Sequence, residues 1–587
     1  MDAWLDPAST IEEQVRAIAR TIGAFDDSFE PDVRVADVRF GDYQANGVLP
    51  YAKRNKTNPR QLGQTLMDAL VASGVFEAAG VEISLAGPGF VNFTFSKEAL
   101  TQWLMAHEDA DAFRQPCSAL KAGQQIVVDY SSPNTAKEMH VGHIRSTCIG
   151  HAIANLLEFT GADVIRDNHI GDWGTQFGMI IYGIKAAGYD LDADHGDPIA
   201  DLEQFYKDGY AAYKSSEDLA QTVRDELVKL QTGDPENVAL WKKITEVSWT
   251  VFQRIYNQLG VQFDIVHGES YYRDQVDFIY GEMEQTGLSE VDQGAQVVFH
   301  PEHKRFSKQP FIIRKADGAS NYATTDLATI YDRTHELKAS GMINVVDSRQ
   351  SDHFEQLFLT ANKWYAARGW DLPEMKHVSF GTILGEDNKP LKSKEGTSVK
   401  LKDLIAEAIE RCEKIVAEKN PSLSSDERRH IAEVVGVNAI RYVDLSQNRS
   451  TDYVFSWNKL LSFEGNTAPY LLYAVARINS IFRKLEEDPA EDFKTDSAIE
   501  TDAERALARQ LMGFTDAVKQ SLSDLRPHFI CSYLFELSSS FSSFYNADKV
   551  DVEDSEVRTR RLMLCQKTLQ VLKLGLGILG IPTLERM

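Results

Sequence analysis

The pattern of apolar and polar positions changes twice along the chain. Up to about residue 115, helical periodicity at 10–22 and 59–79 is followed by two strand-like runs, 81–85 and the alternating 90–95. From residue 125 onward, short β-branched runs are interspersed with helical patterns, and beyond about residue 401 only amphipathic helical patterns remain, among them one at 504–524. Apolar spacing near 3.6 is typical of helices, and strict alternation is typical of half-buried strands. The chain therefore predicts an α+β domain, an α/β domain and a helical region.

The α/β region opens with a β-branched run at 126–130, a loop at 131–139 and a helical pattern at 140–159. Another strand pattern follows at 162–166, so we expect a βαβ unit in a parallel sheet, with ligands at the carboxyl ends of its strands. The interval 187–290 is largely helical and acidic and is interpreted as an insertion. Further strands are predicted at 311–313, 343–346 and 377–380.

These patterns divide the chain into four predicted parts. They are an N-terminal α+β domain at 1–115, an α/β domain at 116–400 with its insertion, a connecting helical region at 401–460 and a helical bundle at 461–587. The predicted fold class is therefore multidomain α/β, flanked by an α+β domain and an α-helical bundle.

Charge narrows the possible functions. The chain has 62 Lys+Arg and 87 Asp+Glu, a net charge of −25, which argues against a non-specific nucleic-acid binder and suits a cationic small substrate. One segment departs from this balance, because 558–573 contains five basic residues and no acidic one. We interpret it as a basic stripe on a helix. Its members are Arg558, Arg560, Arg561, Lys567 and Lys573.

Cysteine usage and hydropathy indicate the compartment. The five cysteines are an odd number, lie far apart and form no CxxC pair, so a disulfide framework or a cysteine zinc site is disfavoured. The acidic N-terminus does not resemble a signal peptide, and no apolar run approaches the roughly 20 residues that span a bilayer. We expect a cytoplasmic protein with no membrane partner.

The segment with the clearest chemistry is SSPNTAKEMHVGHIRST at 131–147, between the first strand of the α/β domain and its helix. Helix N-termini favour anions there, and His140 and His143, three apart, can present two imidazoles to one phosphate. Gly142 permits close approach of the backbone, and Lys137 adds a cation. The alternatives are capping histidines or half of a metal site. Zinc is disfavoured because the pattern is not HExxH and no third ligand is evident.

HVGH at 140–143 resembles the HIGH signature of class I aminoacyl-tRNA synthetases, and the longer string resembles bacterial-type arginyl-tRNA synthetases in particular. The resemblance implies a Rossmann-like catalytic domain with insertions, an N-terminal domain that binds the outer corner of tRNA, a connecting region that contacts its stem, and a C-terminal anticodon-binding bundle. Further similar segments are FGDYQAN at 40–46, NHIGDWGTQFG at 168–178, DSRQ at 347–350 and EGNTAPY at 464–470.

The resemblance also implies a site for ATP with Mg²⁺ and no metal held by the protein itself. The second class I signature, KMSKS, is degenerate here as KPLKSKEGT at 389–397. Lys137, Lys392 and Lys394 are therefore alternative catalytic cations for the transferring phosphates, together with His140 and His143. The residues implied to bind ATP are Pro133, Lys137, His140, Val141, Gly142 and His143.

An arginine pocket can be argued from the chemistry of the guanidinium group, a planar fork of donors whose natural partners are carboxylates. The resemblance places Asn134, Gln350 and the run that contains Tyr322 and Asp326 at the arginine. Asp326 is then the first choice for the guanidinium contact and Asp129 the second. Tyr322 is four residues before Asp326, on the same face of a helix start. Asn134 and Gln350 suit the α-amino and carboxylate ends of the amino acid.

The tRNA contacts are expected at both ends of the chain. Phe90 and Asn92 are predicted to stack on and hydrogen bond to an unpaired base, with strand core and turn as the alternative. Tyr470 is a predicted stacking surface, and Arg558 and Arg561 of the basic stripe are predicted to neutralise backbone phosphates.

The expected activity is ATP-dependent formation of arginyl-adenylate, followed by transfer to the 3′-terminal ribose of tRNA(Arg), and the resemblance implies that the first step requires tRNA. The expected partners are tRNA(Arg), L-arginine and ATP, and the expected state is a monomer. One alternative is a class I synthetase for another amino acid, although a cysteinyl enzyme would bring zinc-binding cysteines. The other is a non-catalytic tRNA-binding relative, against which the intact 137–143 string argues.

Overall fold

The computed structural model describes residues 4–193, 196–316, 322–392 and 398–587, which form two compact units. The terminal unit contains the described residues up to Lys121 together with Phe159–Gly161 and Leu461–Met587. The central unit contains Ala122–Glu158 and Ala162–Leu460. The predicted domain boundaries at 115, 400 and 460 stay predictions.

The first part of the terminal unit is an α+β structure built on a four-stranded antiparallel sheet in the order β1-β2-β4-β3. The strands predicted at 81–85 and 90–95 are confirmed as β3 and β4. The elements are α1 (Pro7–Ala19), β1 (Val33–Val35), β2 (Tyr43–Ala45), α2 (Val48–Arg54), α3 (Pro59–Ala72), α4 (Val75–Ala78), β3 (Val81–Ala86), β4 (Phe90–Phe95), α5 (Lys97–Ala106), α6 (Ala110–Arg114) and a 3₁₀ turn (Gln115–Cys117).

The central unit starts with the predicted βαβ unit, and its elements follow in chain order. They are β5 (Gln125–Asp129), α7 (Val141–Phe159), β6 (Asp163–Asp167), α8 (Gln176–Ala187), α9 (Pro198–Ser215), α10 (Glu217–Gln231), α11 (Pro235–Leu259), a 3₁₀ turn (Glu269–Gln275), α12 (Val276–Gln285), β7 (Ser289–Asp292), β8 (Ala295–Val298), β9 (Phe311–Arg314), α13 (Tyr322–His335), β10 (Gly341–Asn344), a 3₁₀ turn (Ser348–Gln350), α14 (Ser351–Arg368), β11 (Glu374–His377), β12 (Ile383–Leu384), α15 (Leu401–Lys419), α16 (Ser425–Leu445), β13 (Tyr453–Val454) and α17 (Trp457–Leu460).

The main sheet of the central unit is parallel, in the order β11-β10-β5-β6. The strands predicted near 343 and 377 are β10 and β11. The strand predicted at 311–313 is β9, which belongs instead to a separate antiparallel sheet, β7-β8-β9. Gln293 and Gly294, between β7 and β8, both have positive φ, at 50° and 83°, and this geometry is the tight two-residue turn of a hairpin.

Two apolar cores hold the central unit together. One packs α12, α13 and α14 against the main sheet around the fully buried Trp364 and Tyr365. The other joins α8 to α11 in the predicted helical insertion. Helices α8 and α9 approach closely at Gly183, which has no side chain. A Cβ at this position would lie 2.6 Å from a backbone oxygen of α9. These cores hold the main sheet and its connecting loops in place.

The second part of the terminal unit is the predicted helical bundle. The single helix predicted at 504–524 is two helices, because the chain breaks at Gly513. Its elements are α18 (Ala468–Leu485), α19 (Asp502–Met512), α20 (Phe514–Asp524), α21 (His528–Ala547) and α22 (Ser555–Ile578). In the described part of the chain, no helix combines the length and the apolar composition needed to cross a membrane.

Candidate active site at the carboxyl ends of the main sheet

A cavity of about 600 Å³ opens where β5 and β10 end, in the central unit. This is the edge at which parallel sheets bind ligands. Sequence-predicted residues that line it are Asp129, Asn134, His140, Gly142, His143, Tyr322, Asp326 and Gln350. Other lining residues that the sequence did not single out include His169, Glu269, Arg333 and Asn344. The cavity therefore brings together residues from six separate stretches of sequence.

The loop between β5 and α7 forms one wall of this cavity and has an unusual backbone. Ser131, Ser132 and Ala136 have positive φ angles of 73°, 46° and 60°. Residues other than glycine rarely adopt this left-handed region. Hydrogen bonds hold the loop in this shape: Ser146 Oγ accepts from the Ser131 N–H at 2.8 Å, and Asn168 Oδ1 accepts from the Ser132 N–H at 3.1 Å. Strain that is this firmly supported is typical of functional loops.

His140 and His143 form a pair of neutral imidazoles at the start of α7. Their ring centroids are 4.0 Å apart. The Gly142 N–H donates to His140 Nδ1 and the His140 N–H donates to His143 Nδ1, both at 3.0 Å. Burial lowers the pKa of both rings, that of His143 to about 3, and Arg349 further lowers the pKa of His140. Because each Nδ1 accepts, each Nε2 carries the proton and can donate to an anion.

Gly142 is required by this pairing. A Cβ at position 142 would lie 2.8 Å from His140 Cε1 and 3.0 Å from His140 Nδ1. Any larger residue would displace the imidazole that accepts from its own N–H. Pro133 and Val141, also predicted to bind ATP, are buried and do not line the cavity. The Val141 N–H donates to the Val399 carbonyl at 2.9 Å, so this residue supports the loop through its backbone.

The three lysines considered for the phosphates lie in different places. Lys137 is exposed, with Nζ 5.0 Å from the centre of the Tyr206 ring on α9, and it does not line the cavity. Lys392 is exposed and also lies outside the cavity lining, and Lys394 falls outside the described residues. Buried Glu138 pairs with Lys402 at 2.6 Å, so the HIGH loop is tied to the chain just after the degenerate KMSKS segment.

The prediction that Asp129 receives the substrate guanidinium is corrected by the structure, because Asp129 already pairs with a guanidinium of the protein, that of Arg333. Arg333 donates from Nη2 to Asp129 and to Asp167, each at 2.7 Å, and all three side chains are buried. Burial alone would raise the pKa of Asp129, but the charge of Arg333 outweighs it and the pKa is lowered. Asp129 is therefore ionised and already neutralised.

Asp326 is a carboxylate that lines the cavity, and its predicted contact with the guanidinium stays a prediction. It contacts His353 Nε2 at 2.5 Å, and the His353 ring lies edge-on to Tyr322 with centroids 4.6 Å apart. In the described part of the chain no lysine or arginine pairs with Asp326. Tyr322 is 58% exposed, at the rim of the cavity.

Glu269 is a second cavity carboxylate, and sequence reasoning missed it. Burial raises its pKa to about 7; His169 opposes this shift, and the charges of Asp326 and Asp172 add to it. It lies in the 3₁₀ turn after α11, inside the stretch interpreted as a helical insertion, with no local motif to mark it. Its role depends on the fold, which brings this turn beside Asp326.

The basic stripe at 558–573 lies on a helix, α22, as interpreted, but its three arginines are paired with acids of the same unit. Arg560 is 1% exposed and pairs with Glu504 at 3.1 Å, while Arg561 pairs with Glu504 at 2.9 Å and with Asp548 at 3.0 Å. Arg558 is half-buried and pairs with Glu487 at 2.6 Å. These arginines of α22 hold the terminal unit together, so their predicted phosphate contacts lose support.

The other predicted tRNA residues differ in accessibility. Asn92 is 2% exposed and accepts from Gln44 Nε2 at 2.6 Å across the sheet, which corrects its assignment to an unpaired base and supports the strand-core alternative. Phe90 is half-buried at the start of β4. Tyr470 is half-buried at the start of α18, with its ring 5.7 Å from that of Phe535. Phe90 and Tyr470 stay predictions.

The sequence of the chain matches three family models. Residues 110–457 match "tRNA synthetases class I (R), catalytic domain", residues 9–95 match "Arginyl tRNA synthetase N terminal domain", and residues 471–587 match "DALR anticodon binding domain". The fold and the HIGH loop at the sheet edge are those of a class I aminoacyl-tRNA synthetase.

Relatives identify the branch of that class. The chain is 43% identical to the arginine–tRNA ligase of Idiomarina loihiensis over 94% of both chains, and 42% identical to that of Chromobacterium violaceum over 98% of this chain and 99% of the relative. Arginyl-tRNA synthetases from Plasmodium falciparum and Thermus thermophilus, 28% and 25% identical, superpose with TM-scores of 0.82, each over 99% of this chain and 99% and 100% of theirs. This chain belongs to the arginyl-tRNA synthetase family.

Proposed function

We propose that this chain joins L-arginine to tRNA(Arg) in two steps at the cavity of the central unit. The arginine carboxylate attacks the α-phosphate of ATP, forming arginyl-adenylate and releasing pyrophosphate. The 2′-hydroxyl of the terminal ribose then attacks the arginyl carbonyl, and AMP leaves. The observation that carries this proposal is one cavity with imidazole donors on one side, His140 and His143, and on the other side two carboxylates, Asp326 and Glu269, that pair with no lysine or arginine among the described residues.

The imidazole side suits ATP. The neutral imidazoles of His140 and His143 each carry an Nε2–H group that can donate a hydrogen bond to a phosphate oxygen. Fixed donors of this kind stabilise charge that develops on a transferring phosphoryl group, because they need no reorganisation. Lys137 is the described lysine nearest in sequence to this pair, and we propose that it swings from Tyr206 toward the phosphates. Mg²⁺ enters with ATP as part of the substrate.

The carboxylate side suits the guanidinium of arginine. We propose that Asp326 and Glu269 accept its N–H groups, that Tyr322 borders it, and that Asn134 and Gln350 hold the α-amino and carboxylate ends. The charge of Asp326 adds to the rise in the pKa of Glu269, and a cation placed between the two carboxylates would stabilise both. An uncharged analogue such as citrulline would leave buried acceptors unmatched, so discrimination should be strong.

Aminoacylation and ATP–pyrophosphate exchange test this function. With purified protein and tRNA(Arg), we expect pyrophosphate exchange with arginine only, and only when tRNA is present. Cysteine, glutamate and citrulline serve as matched negative substrates. Exchange with glutamate instead of arginine would overturn the proposed specificity, and exchange with none of the amino acids would favour a non-catalytic tRNA-binding relative.

A further inference from the structure

The segment 303–315 concentrates positive charge at the surface of an acidic protein. It contains five basic residues and no acidic one, in a chain whose net charge is −25. All five are exposed, in contrast to the buried Phe306, Phe311 and Ile313 that anchor the segment. We refer to it as the basic segment. Its members are Lys304, Arg305, Lys308, Arg314 and Lys315.

Among the described residues, three of these five basic side chains have no carboxylate partner. Arg305 pairs with Asp352 at 2.5 Å, and Arg314 lies 4.9 Å from the centre of the Tyr280 ring. Lys304, Lys308 and Lys315 form no ion pair with any carboxylate in the described parts of the chain. Exposed cations without partners do not add to stability, so their clustering requires another explanation.

The basic segment lies one helix away from the cavity. Gln356 of α14 donates from Nε2 to the Gln309 carbonyl at 2.9 Å, which fixes the segment against this helix. Phe354 and Leu357, also on α14, line the cavity. In addition, the Phe311 ring is 5.7 Å from that of His353, which contacts Asp326. The segment therefore borders the side of the cavity where the guanidinium is proposed to bind.

We propose that the basic segment binds the backbone phosphates of the single-stranded 3′ end of tRNA as it enters the cavity. This inference rests on the proposed function, since transfer requires the terminal ribose to reach the arginyl carbonyl. The phosphates that precede that ribose must then cross the rim of the cavity. In an acidic protein, lysines that pair with no described carboxylate and lie one helix from the cavity supply the counter-charge that this path needs, and exposed Ile312 between them offers an apolar surface for a base.

A triple variant tests the proposal: Lys304→Ala, Lys308→Ala and Lys315→Ala together. Its matched control replaces three exposed lysines of the helical insertion, Lys207, Lys214 and Lys242, with alanine. Equilibrium binding is measured for whole tRNA(Arg) and for tRNA(Arg) lacking its single-stranded 3′ end, over a range of salt concentrations. A Lys→Arg version of the triple variant retains the charge and serves as the rescue.

We expect the Kd for whole tRNA to rise about tenfold in the triple variant and to recover in the arginine version. The slope of log Kd against log salt should fall by about 0.7 for each single-strand phosphate lost. For the truncated tRNA, wild type and variant should bind equally. An unchanged Kd, an equal loss with truncated tRNA, or an equal loss in the control variant would overturn the proposal.

These outcomes are separate from a failure of the proposed function. If wild-type protein charges no tRNA with arginine, the function is wrong whatever the basic segment does. If wild type is active and the triple variant binds whole tRNA normally, only the inference about the segment is wrong. Because the three lysines are exposed and unpaired, the thermal unfolding midpoint of the variant should match that of wild type.

Discussion

Two segments of this protein have the same charge in sequence and opposite environments in the structure. Each of 303–315 and 558–573 has five basic residues and no acidic one. On α22 the arginines pair with acids of the same unit, and Arg560 is 1% exposed. In the basic segment, three lysines are exposed and unpaired within the described chain. A cluster of basic residues can therefore support the fold or serve a ligand, and its sequence does not show which.

The same contrast is found inside the cavity. Asp129 and Asp167 both pair with Arg333, so their charge is neutralised within the protein. Asp326 and Glu269 have no lysine or arginine paired with them among the described residues, and the pKa of Glu269 is raised to about 7 in part by Asp326. Charge satisfied by the protein stabilises the structure, and charge left unsatisfied in a cavity is available to a substrate.

The largest expected effect comes from breaking a paired charge. Arg560→Met removes one of the two arginines paired with the fully buried Glu504, at 3.1 Å, and leaves Arg561 at 2.9 Å, so we expect the free energy of unfolding to fall by about 3 kcal/mol, the lower end of the cost of breaking a buried pair. Urea denaturation measures this loss. The salt dependence of tRNA binding should not change, because Arg560 is not available to phosphate.

Arg558→Ala is the control for that prediction, because its pair with Glu487 is only half-buried. We expect a loss of less than about 1 kcal/mol, as for other partly exposed ion pairs. If Arg560→Met instead weakened tRNA binding at full stability, the contrast between the two basic segments would be incorrect.

An intermediate effect is expected from removing an unpaired charge. Asp326→Asn retains shape and hydrogen bonding to His353 but removes one carboxylate from the proposed guanidinium site. We expect the KM for arginine to rise about 100-fold, since truncating one member of a desolvated charge pair costs roughly 2–5 kcal/mol. Steady-state aminoacylation measures the change. An unchanged KM for arginine together with lost stability would place Asp326 among the structural charges.

The smallest effect is a pH dependence of arginine binding. Glu269 has its pKa raised to about 7, chiefly by burial, and a bound guanidinium favours the ionised form and lowers that pKa. Arginine should therefore bind most tightly above pH 7 and lose about tenfold in affinity for each pH unit below it. The KM for arginine between pH 6 and 8 tests this, and Glu269→Gln should give a flat profile. A flat profile in the wild type would contradict the assignment.

Much of the fold could be predicted from local pattern. The βαβ unit at β5, α7 and β6, the strands β3 and β4 and the C-terminal helices follow from periodicity, because one face of each element is buried. The pattern did not show that β9 joins an antiparallel sheet, or that the helix predicted at 504–524 breaks at Gly513. The partners of a strand are residues distant in sequence, so the local pattern does not show which sheet it joins. The helix break at Gly513 changes the chain only locally, so the apolar spacing on either side does not reveal it.

The sequence by itself determined the family and the HIGH loop and singled out Asp326 as the first candidate for the guanidinium, because these depend on residue types at short spacings. Only the tertiary structure decided which charges are neutralised. Arg333 lies about 200 positions after Asp129 and Glu269 over 50 before Asp326, yet each pair shares one cavity. Whether a charge is free depends on distances between remote side chains and on burial, and neither quantity is encoded at the position of the residue itself.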